Sequence, residues 1–160
     1  MQIAIGCDEA AFELKETIKK HIQAKGIEVK DFGVNSRDEA VLYPDIAVIV
    51  AESIAEGKYE RGILLCGTGV GMAISANKVP GIRAAVCHDP YSTERSRKSN
   101  NAQIMCMGAR VIGSELAKNL VDTWLECEFA GGGSIPKVNR IMEYEHKYIY
   151  NSDNKKKQSI

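Results

Sequence analysis

Along the first half of the chain, short apolar runs alternate with segments whose apolar residues recur at helical spacing. Residues 2–7 (QIAIGC) read as a strand, after which Phe12, Leu14, Ile18 and Ile22 fall near one helical face until Gly26 ends the pattern. Residues 27–32 (IEVKDF) predict a second strand. Beyond the turn-rich GVNSRDEA, Ile46, Val50 and Ile54 predict a helix that stops near Gly57. Residues 62–66 (GILLC) are apolar throughout, as a parallel strand covered on both faces requires, and lead through Gly67-Thr68-Gly69-Val70-Gly71 into a short helix over 72–77.

A fourth strand is predicted over 82–87 (IRAAVC), and Asp89-Pro90 suits the N-cap and first turn of a helix running to about Lys98. Residues 103–107 (QIMCM) predict the fifth strand. Leu116, Leu120, Val121, Trp124 and Leu125 mark an amphipathic helix. Gly131-Gly132-Gly133 then interrupts the chain before a last helix that Pro136 can start and Val138, Ile141, Met142 and Tyr148 can dock. Residues 151–160 are polar, include Lys155-Lys156-Lys157, and read as a flexible, solvated tail beyond a single domain at 1–150. Strands that alternate with helices imply an α/β fold, a parallel sheet with helices on both faces joined by right-handed crossovers. The pattern leaves strand order open. In such sheets ligands bind at the carboxyl ends of the strands, which draws attention to Cys7-Asp8-Glu9, Cys66 with its glycine loop, Cys87-His88-Asp89 and Met107-Gly108.

A chain of 160 residues, 44% of them hydrophobic, suffices for one sizeable core and not for two ordinary domains. The 21 Lys and Arg balance 21 Asp and Glu, so no global field favours nucleic acid or an anionic membrane, and neither is expected as a partner. The start, MQIAIGCDEA, has no basic segment followed by a long apolar run, and no apolar stretch approaches the roughly 20 residues that span a bilayer. A cytoplasmic location is expected. Cys7, Cys66, Cys87, Cys106 and Cys127 are odd in number and include no C-x-x-C pair, which argues for reduced thiols over a disulfide framework or a zinc site. His21 and His146 lie on predicted helices and read as structural or solvated.

The strongest local feature is Cys66-Gly67-Thr68-Gly69-Val70-Gly71. Glycines let a backbone turn tightly while its N–H groups point into a common space, an arrangement that binds anions or stabilises an oxyanion. A thiol at the first position would sit in an environment that favours the reactive thiolate, so Cys66 is a candidate base. The plainer alternative is a buried cysteine that ends a strand at a tight turn. A dinucleotide site is disfavoured, because Met72 stands where G-x-G-x-x-G needs its third glycine and the loop follows the third strand. The P-loop pattern G-x-x-x-x-G-K is absent as well, which leaves chemistry with no tightly bound nucleotide.

Gly6-Cys7-Asp8, Asp31-Phe32-Gly33, Tyr43-Pro44-Asp45, the run GILLCGTGVG at 62–71, Ala76-Asn77-Lys78, Gly81-Ile82-Arg83-Ala84, Asn100-Asn101-Ala102, Gly108-Ala109-Arg110-Val111-Ile112-Gly113 and Glu115-Leu116-Ala117 occur in one order along residues 1–148. Together they resemble the type B ribose-5-phosphate isomerase and galactose-6-phosphate isomerase family. The resemblance implies a Rossmann-like three-layer fold with a five-stranded parallel sheet and a C-terminal helix used in dimerisation. It also implies a homodimer or dimer of dimers with active sites at the subunit interface, and isomerisation of a sugar phosphate through a cis-enediolate without metal or other cofactor. In it, Cys66 matches the base. Asp8, Thr68, the backbone of Gly67, Gly69, Val70 and Gly71, and Asn100 and Arg110 match positions that orient substrate hydroxyls or anions. Tyr43 matches a ring near the site. Asn100 and Arg110 are expected to reach the Cys66 of the other subunit. Two simpler roles stand beside these: Asp8 as a helix cap and Arg110 as an interface ion-pair residue.

Several positions depart from the family pattern. Asp8-Glu9 replaces the usual Asp-His, and Ser99 replaces a ring-opening histidine just before Asn100. Gly133 and Lys137 fall where ribose-phosphate enzymes carry two phosphate-binding arginines, so bidentate anion recognition is lost there. His88 is a candidate substitute for the missing acid. The departures fit a shorter, open-chain sugar phosphate that needs no ring opener, or an anionic end held nearer Arg110 and Lys137. They also allow an unphosphorylated hexose, with Gly133 making room and Glu9 accepting from hydroxyls, or an inactive sugar-binding partner subunit. Retention of Cys66 favours activity.

Overall fold

Five strands, β1 (Gln2–Cys7), β2 (Glu28–Asp31), β3 (Arg61–Cys66), β4 (Ala84–Val86) and β5 (Ile104–Gly108), form one parallel sheet in the order β2-β1-β3-β5-β4. The helices between and after them are α1 (Phe12–Gln23), α2 (Tyr43–Ala55), α3 (Val70–Ala76), α4 (Pro90–Lys98), α5 (Ser114–Glu126) and α6 (Ile135–Lys157). Short 3-10 turns at Glu9–Ala11 and Gly132–Ser134 lead into α1 and α6. The computed structural model describes the backbone of residues 1–157 and the side chains of residues 1–149. The expected α/β three-layer architecture is present.

Because successive side chains of a strand point to opposite faces, β1, β3 and β5 build two cores at once. Ile3, Ile5, Ile63, Leu65, Met105 and Met107 pack against Leu14, Ile18 and Ile22 of α1 and Leu120, Val121 and Trp124 of α5. Ala4, Leu64, Cys66, Ile104 and Cys106 pack on the other face against Ala47, Val50 and Ala51 of α2 and Met72, Ala73 and Ala76 of α3. Each large side chain buried this way contributes about 1.5–3 kcal/mol.

Three elements differ from the sequence pattern by two residues or more at one end. β4 keeps only three of the six residues expected at 82–87. Arg83 N–H is taken by the Gln103 side chain at 2.9 Å, and the amide of Asn77 brackets Ala84 from outside, accepting at 2.9 Å and donating at 2.8 Å. That side chain occupies the pairing edge where another strand would add. α3 begins at Val70, two residues early, because Gly69 at φ 76° turns the chain directly into the helix. α6 continues to Lys157, past the expected boundary at 150, while the side chains of the expected tail at 151–160 lie outside the described residues.

One end of the fold is held by a residue without a sequence signal. Arg61, buried at the start of β3, donates from Nη1 to the Trp124 and Leu125 carbonyls at 2.9 and 3.1 Å. A cation thus satisfies the last carbonyls of α5 at the negative end of its dipole.

Candidate active site

The strand order runs outward in both directions from the β1–β3 pair, and the crossovers after these two strands leave on opposite faces, α1 with one core and α3 with the other. A crevice therefore opens at their carboxyl ends. It is a cleft of about 400 Å³ lined by Asp8, Tyr43, Cys66, Gly67, Thr68, Val70, Gly71, Ile74 and Arg110. Eight of these nine were expected from sequence. Ile74 was not, although it stands one helical turn after Val70 and is 58% exposed, an unburied apolar position on α3.

Cys66 ends β3 with only 5% of its surface exposed, and its Sγ accepts from Gly69 N–H at 3.0 Å. Val70 N–H goes to Thr68 Oγ1 at 3.3 Å. Two amides of the glycine loop are thus committed within the loop itself. The other cysteines do not line the cleft. Burial pushes the Cys7 thiol up to about 12, raises Cys87, and raises fully enclosed Cys106 well above the thiol range. These three are packing residues.

Asp8 follows β1 directly. Its N–H pairs with Leu65 O at 3.3 Å and its Oδ1 accepts from Ala10 N–H at 3.1 Å, so it caps the turn leading into α1 while also lining the cleft. Burial, followed by the neighbouring Glu9 charge, raises its carboxyl above the ordinary value, against the pull of the Ala10 and Ala11 amides and of Arg110. Arg110 sits on the loop after β5, tied to the glycine loop through Arg110 N–H to Gly67 O at 3.0 Å, and a side chain at position 67 would meet its Nη1 at 3.4 Å. Arg110 therefore belongs to the cleft of its own chain, which corrects the expectation that it reaches across to a partner. Tyr43, the first residue of α2, lays its ring over Gly71 so closely that a Cβ there would fall 2.6 Å from ring carbons.

Other expected residues lie elsewhere. Glu9 faces a second cavity, of about 670 Å³, which it lines with Glu13, Arg37, Ser114 and the shared wall residue Arg110. Ser99 caps the C-terminus of α4, and Asn100 follows it with its carbonyl accepting from Arg83 at 3.1 Å. Because α4 runs from the end of β4 back toward the start of β5, both sit at the amino end of the sheet, away from their own Cys66. The segment before α6 is there too, Ala130 N–H donating to Lys98 O at 3.1 Å, and Lys137 is exposed on the first turn of α6. His88 does not line the cleft. Its Nε2 accepts from Gly108 N–H at 2.8 Å, and burial, opposed by Asp89, holds the imidazole below its ordinary value. The ring is thus a neutral clamp between the ends of β4 and β5, which corrects the expectation that it supplies the missing acid in this cleft. Among the described residues no three His, Cys, Asp or Glu side chains are grouped to hold a metal ion, and no helix is long and apolar enough to cross a membrane.

The sequence profile of the Ribose/Galactose Isomerase family matches residues 3–141. The chain belongs to this family. It is 57% identical to a D-erythrulose-4-phosphate isomerase of Pectobacterium atrosepticum, over 92% of this chain and 97% of the relative. It is 56% identical to a ribose-5-P isomerase B of Listeria innocua, over 92% of this chain and 99% of the relative. The structure of Clostridium thermocellum ribose-5-phosphate isomerase B superposes with a TM-score of 0.90 at 47% identity, covering 92% of this chain and 99% of that one. The protein is an aldose-ketose isomerase. Relatives named for a four-carbon and for a five-carbon sugar are almost equally similar, so overall identity does not choose between them.

Proposed function

We propose that this isomerase interconverts a four-carbon ketose 4-phosphate, such as D-erythrulose 4-phosphate, with its aldose isomer. The observation that carries the reading is Ser99, which stands where the family's ring-opening histidine is expected, while His88 does not line the cleft and is bound to Gly108 N–H. A pentose phosphate spends most of its time as a ring and needs an acid to open it. A tetrose whose terminal oxygen carries phosphate has no hydroxyl left to close a furanose, so it arrives open. The relative of Pectobacterium atrosepticum supports the same size of sugar.

In this reading Cys66 takes a proton from the carbon beside the carbonyl and returns it to the neighbouring carbon, while Thr68 and Arg110 stabilise charge on oxygen. Ser99, Asn100 and Lys137 reach a cleft only by facing that of a second copy, so the working unit is a dimer or a dimer of dimers. Long α6, with Ile141 and Tyr144 about half exposed (47% and 50%), supplies an apolar face for such a contact.

The test is kcat/KM on D-erythrulose 4-phosphate, ribose 5-phosphate and unphosphorylated hexoses, with the double variant Ser99→His, Gly133→Arg alongside. The four-carbon phosphate should be the best substrate, and the double variant should shift preference toward the pentose. Ribose 5-phosphate as the best substrate of the natural enzyme would overturn the reading. Cys66→Ala should remove turnover by at least about 100-fold with the fold retained, and near-normal turnover would exclude Cys66 as the base.

A further inference from the structure

Moving hydrogen between two carbons is half of an aldose-ketose isomerisation. As the aldehyde becomes an alcohol and the neighbouring alcohol becomes a carbonyl, one oxygen gains a proton and the other loses one. A thiol that serves the carbons does not serve the oxygens as well, and two of the glycine-loop amides are already used inside the loop.

We infer that Asp8 is the second proton carrier, giving its carboxyl proton to the aldehyde oxygen and taking the hydroxyl proton of the adjacent carbon, with Glu9 as the residue that tunes it. Taken in the aldose-to-ketose direction, the Cys66 thiolate removes the proton from C2 as Asp8 protonates O1. The enediol then loses its O2 proton to the Asp8 carboxylate as the thiol returns a proton to C1. Asp8 ends as it began, Cys66 ends as thiolate, and no oxidant or co-reactant is needed. The inference rests on the isomerase reading and deepens it.

Geometry supports the assignment. Asp8 directly follows β1 and Cys66 ends its paired strand β3, the two joined by the hydrogen bond from Asp8 N–H to Leu65 O, and both residues line the one cleft. Asp8 is 8% exposed, its Oδ1 accepts from Ala10 N–H, and the Ala11 amide also pulls on the carboxylate. The groups facing it are Glu9 on its own turn, Arg110 from the loop after β5, Cys66 from β3 and Tyr43 from α2, with the Cys7 thiol directly before it in β1. Burial first and Glu9 second favour the protonated carboxyl that the first step needs. Glu9 faces the neighbouring cavity, so it acts on substrate only through Asp8.

The experiment is the pH dependence of kcat/KM and kcat for the full chain on its best sugar phosphate, comparing natural enzyme, Asp8→Asn, Glu9→Gln and Glu9→Asp. Asn keeps the cap to Ala10 N–H, so the fold survives, which a melting curve checks. Asp8→Asn should lower kcat by at least about 100-fold with KM changing far less, and should delete one limb of the profile. In Glu9→Gln that same limb should move to lower pH, because the repelling charge is gone, and Glu9→Asp should hold it in place. An unmoved limb in Glu9→Gln, or an Asp8→Asn enzyme within about tenfold of natural kcat, would overturn the inference. Preference for ribose 5-phosphate would instead overturn the four-carbon reading and leave this comparison standing.

Discussion

Gly108→Ala tests whether the cleft is held by backbone packed on backbone. Gly108 ends β5 opposite Cys66, and a Cβ there would lie 2.6, 2.7 and 2.8 Å from Thr68 Cα, C and O. Ordinary contact begins at 3.4 Å, so Thr68 or the end of β5 must move by about 0.8 Å. Neither is soft. Gly108 N–H is bound to His88, and the next two amides bind Cys66 O and Gly67 O at 2.9 and 3.0 Å. On the loop side Gly69, in the left-handed region, lies against the Met107 backbone. Overpacking of this kind costs about 1–3 kcal/mol. A displacement near 1 Å at a reacting group lowers turnover by about 100-fold. Gly71→Ala creates an equally short contact, but with the Tyr43 ring, which is 41% exposed and can swing toward solvent. Its stability cost should stay near the roughly 0.5–1.5 kcal/mol of a displaced rotamer. Gly133→Ala, with nothing within 4 Å, should leave stability within about 0.5 kcal/mol. Urea unfolding and steady-state kinetics measure the three variants together. A Gly108→Ala protein with natural midpoint and kcat, or one more stable than Gly71→Ala, would refute the reasoning.

Three further outcomes are expected. Lys15, 1% exposed, donates to Val34 O at 2.6 Å and pairs with Asp31 at 2.8 Å. Lys15→Met should cost about 2 kcal/mol, below the usual value for a broken buried pair because Lys19 still reaches Asp31. Burial alone would raise the Asp31 carboxyl, yet the Lys15 and Lys19 hydrogen bonds prevail and hold it below its ordinary 3.8. A depressed carboxyl stabilises above its unfolded value and loses that contribution as pH falls through the folded one. Melting temperature should therefore drop below about pH 4, and less steeply in Lys15→Met, whereas identical acid limbs would argue against the pair. Arg61→Lys should lose about 1.5–3 kcal/mol in urea unfolding, since one ammonium nitrogen replaces the two guanidinium nitrogens that bind the Trp124 and Leu125 carbonyls and the Glu128 carboxylate, and a neutral result would remove the helix-end role. Mixing Cys66→Ala with Asn100→Ala subunits should restore activity if the second copy completes the site, while mixing Cys66→Ala with Arg110→Ala should not, because those two residues share one chain's cleft. The reverse pattern would sink both assignments.

Much of the architecture was legible because burial has a local signature. GILLC is apolar at every position since β3 is covered on both faces, and Leu120, Val121 and Trp124 recur at helical spacing since α5 buries one side. The glycine loop announced itself in the same way, by residue types that few other backbones require. Most of the cleft lining followed, since these residues stand at a strand end, on the loop beyond it or in the first turn of the helix that follows.

What tertiary structure decided is everything set by elements distant in sequence. Strand order, with β5 inserted between β3 and β4, depends on crossovers that leave no periodic mark. The shortness of β4 comes from Asn77 and Gln103 side chains occupying Ala84 and Arg83. Arg110 falls in its own cleft because β5 pairs with β3, and Ser99 and Asn100 fall at the other end of the sheet because α4 carries the chain back across it. Composition named the reactive residues, but which of them share a space follows from the long-range pairing of β1, β3 and β5, which brings Asp8, Cys66 and Arg110 together from positions far apart in the chain.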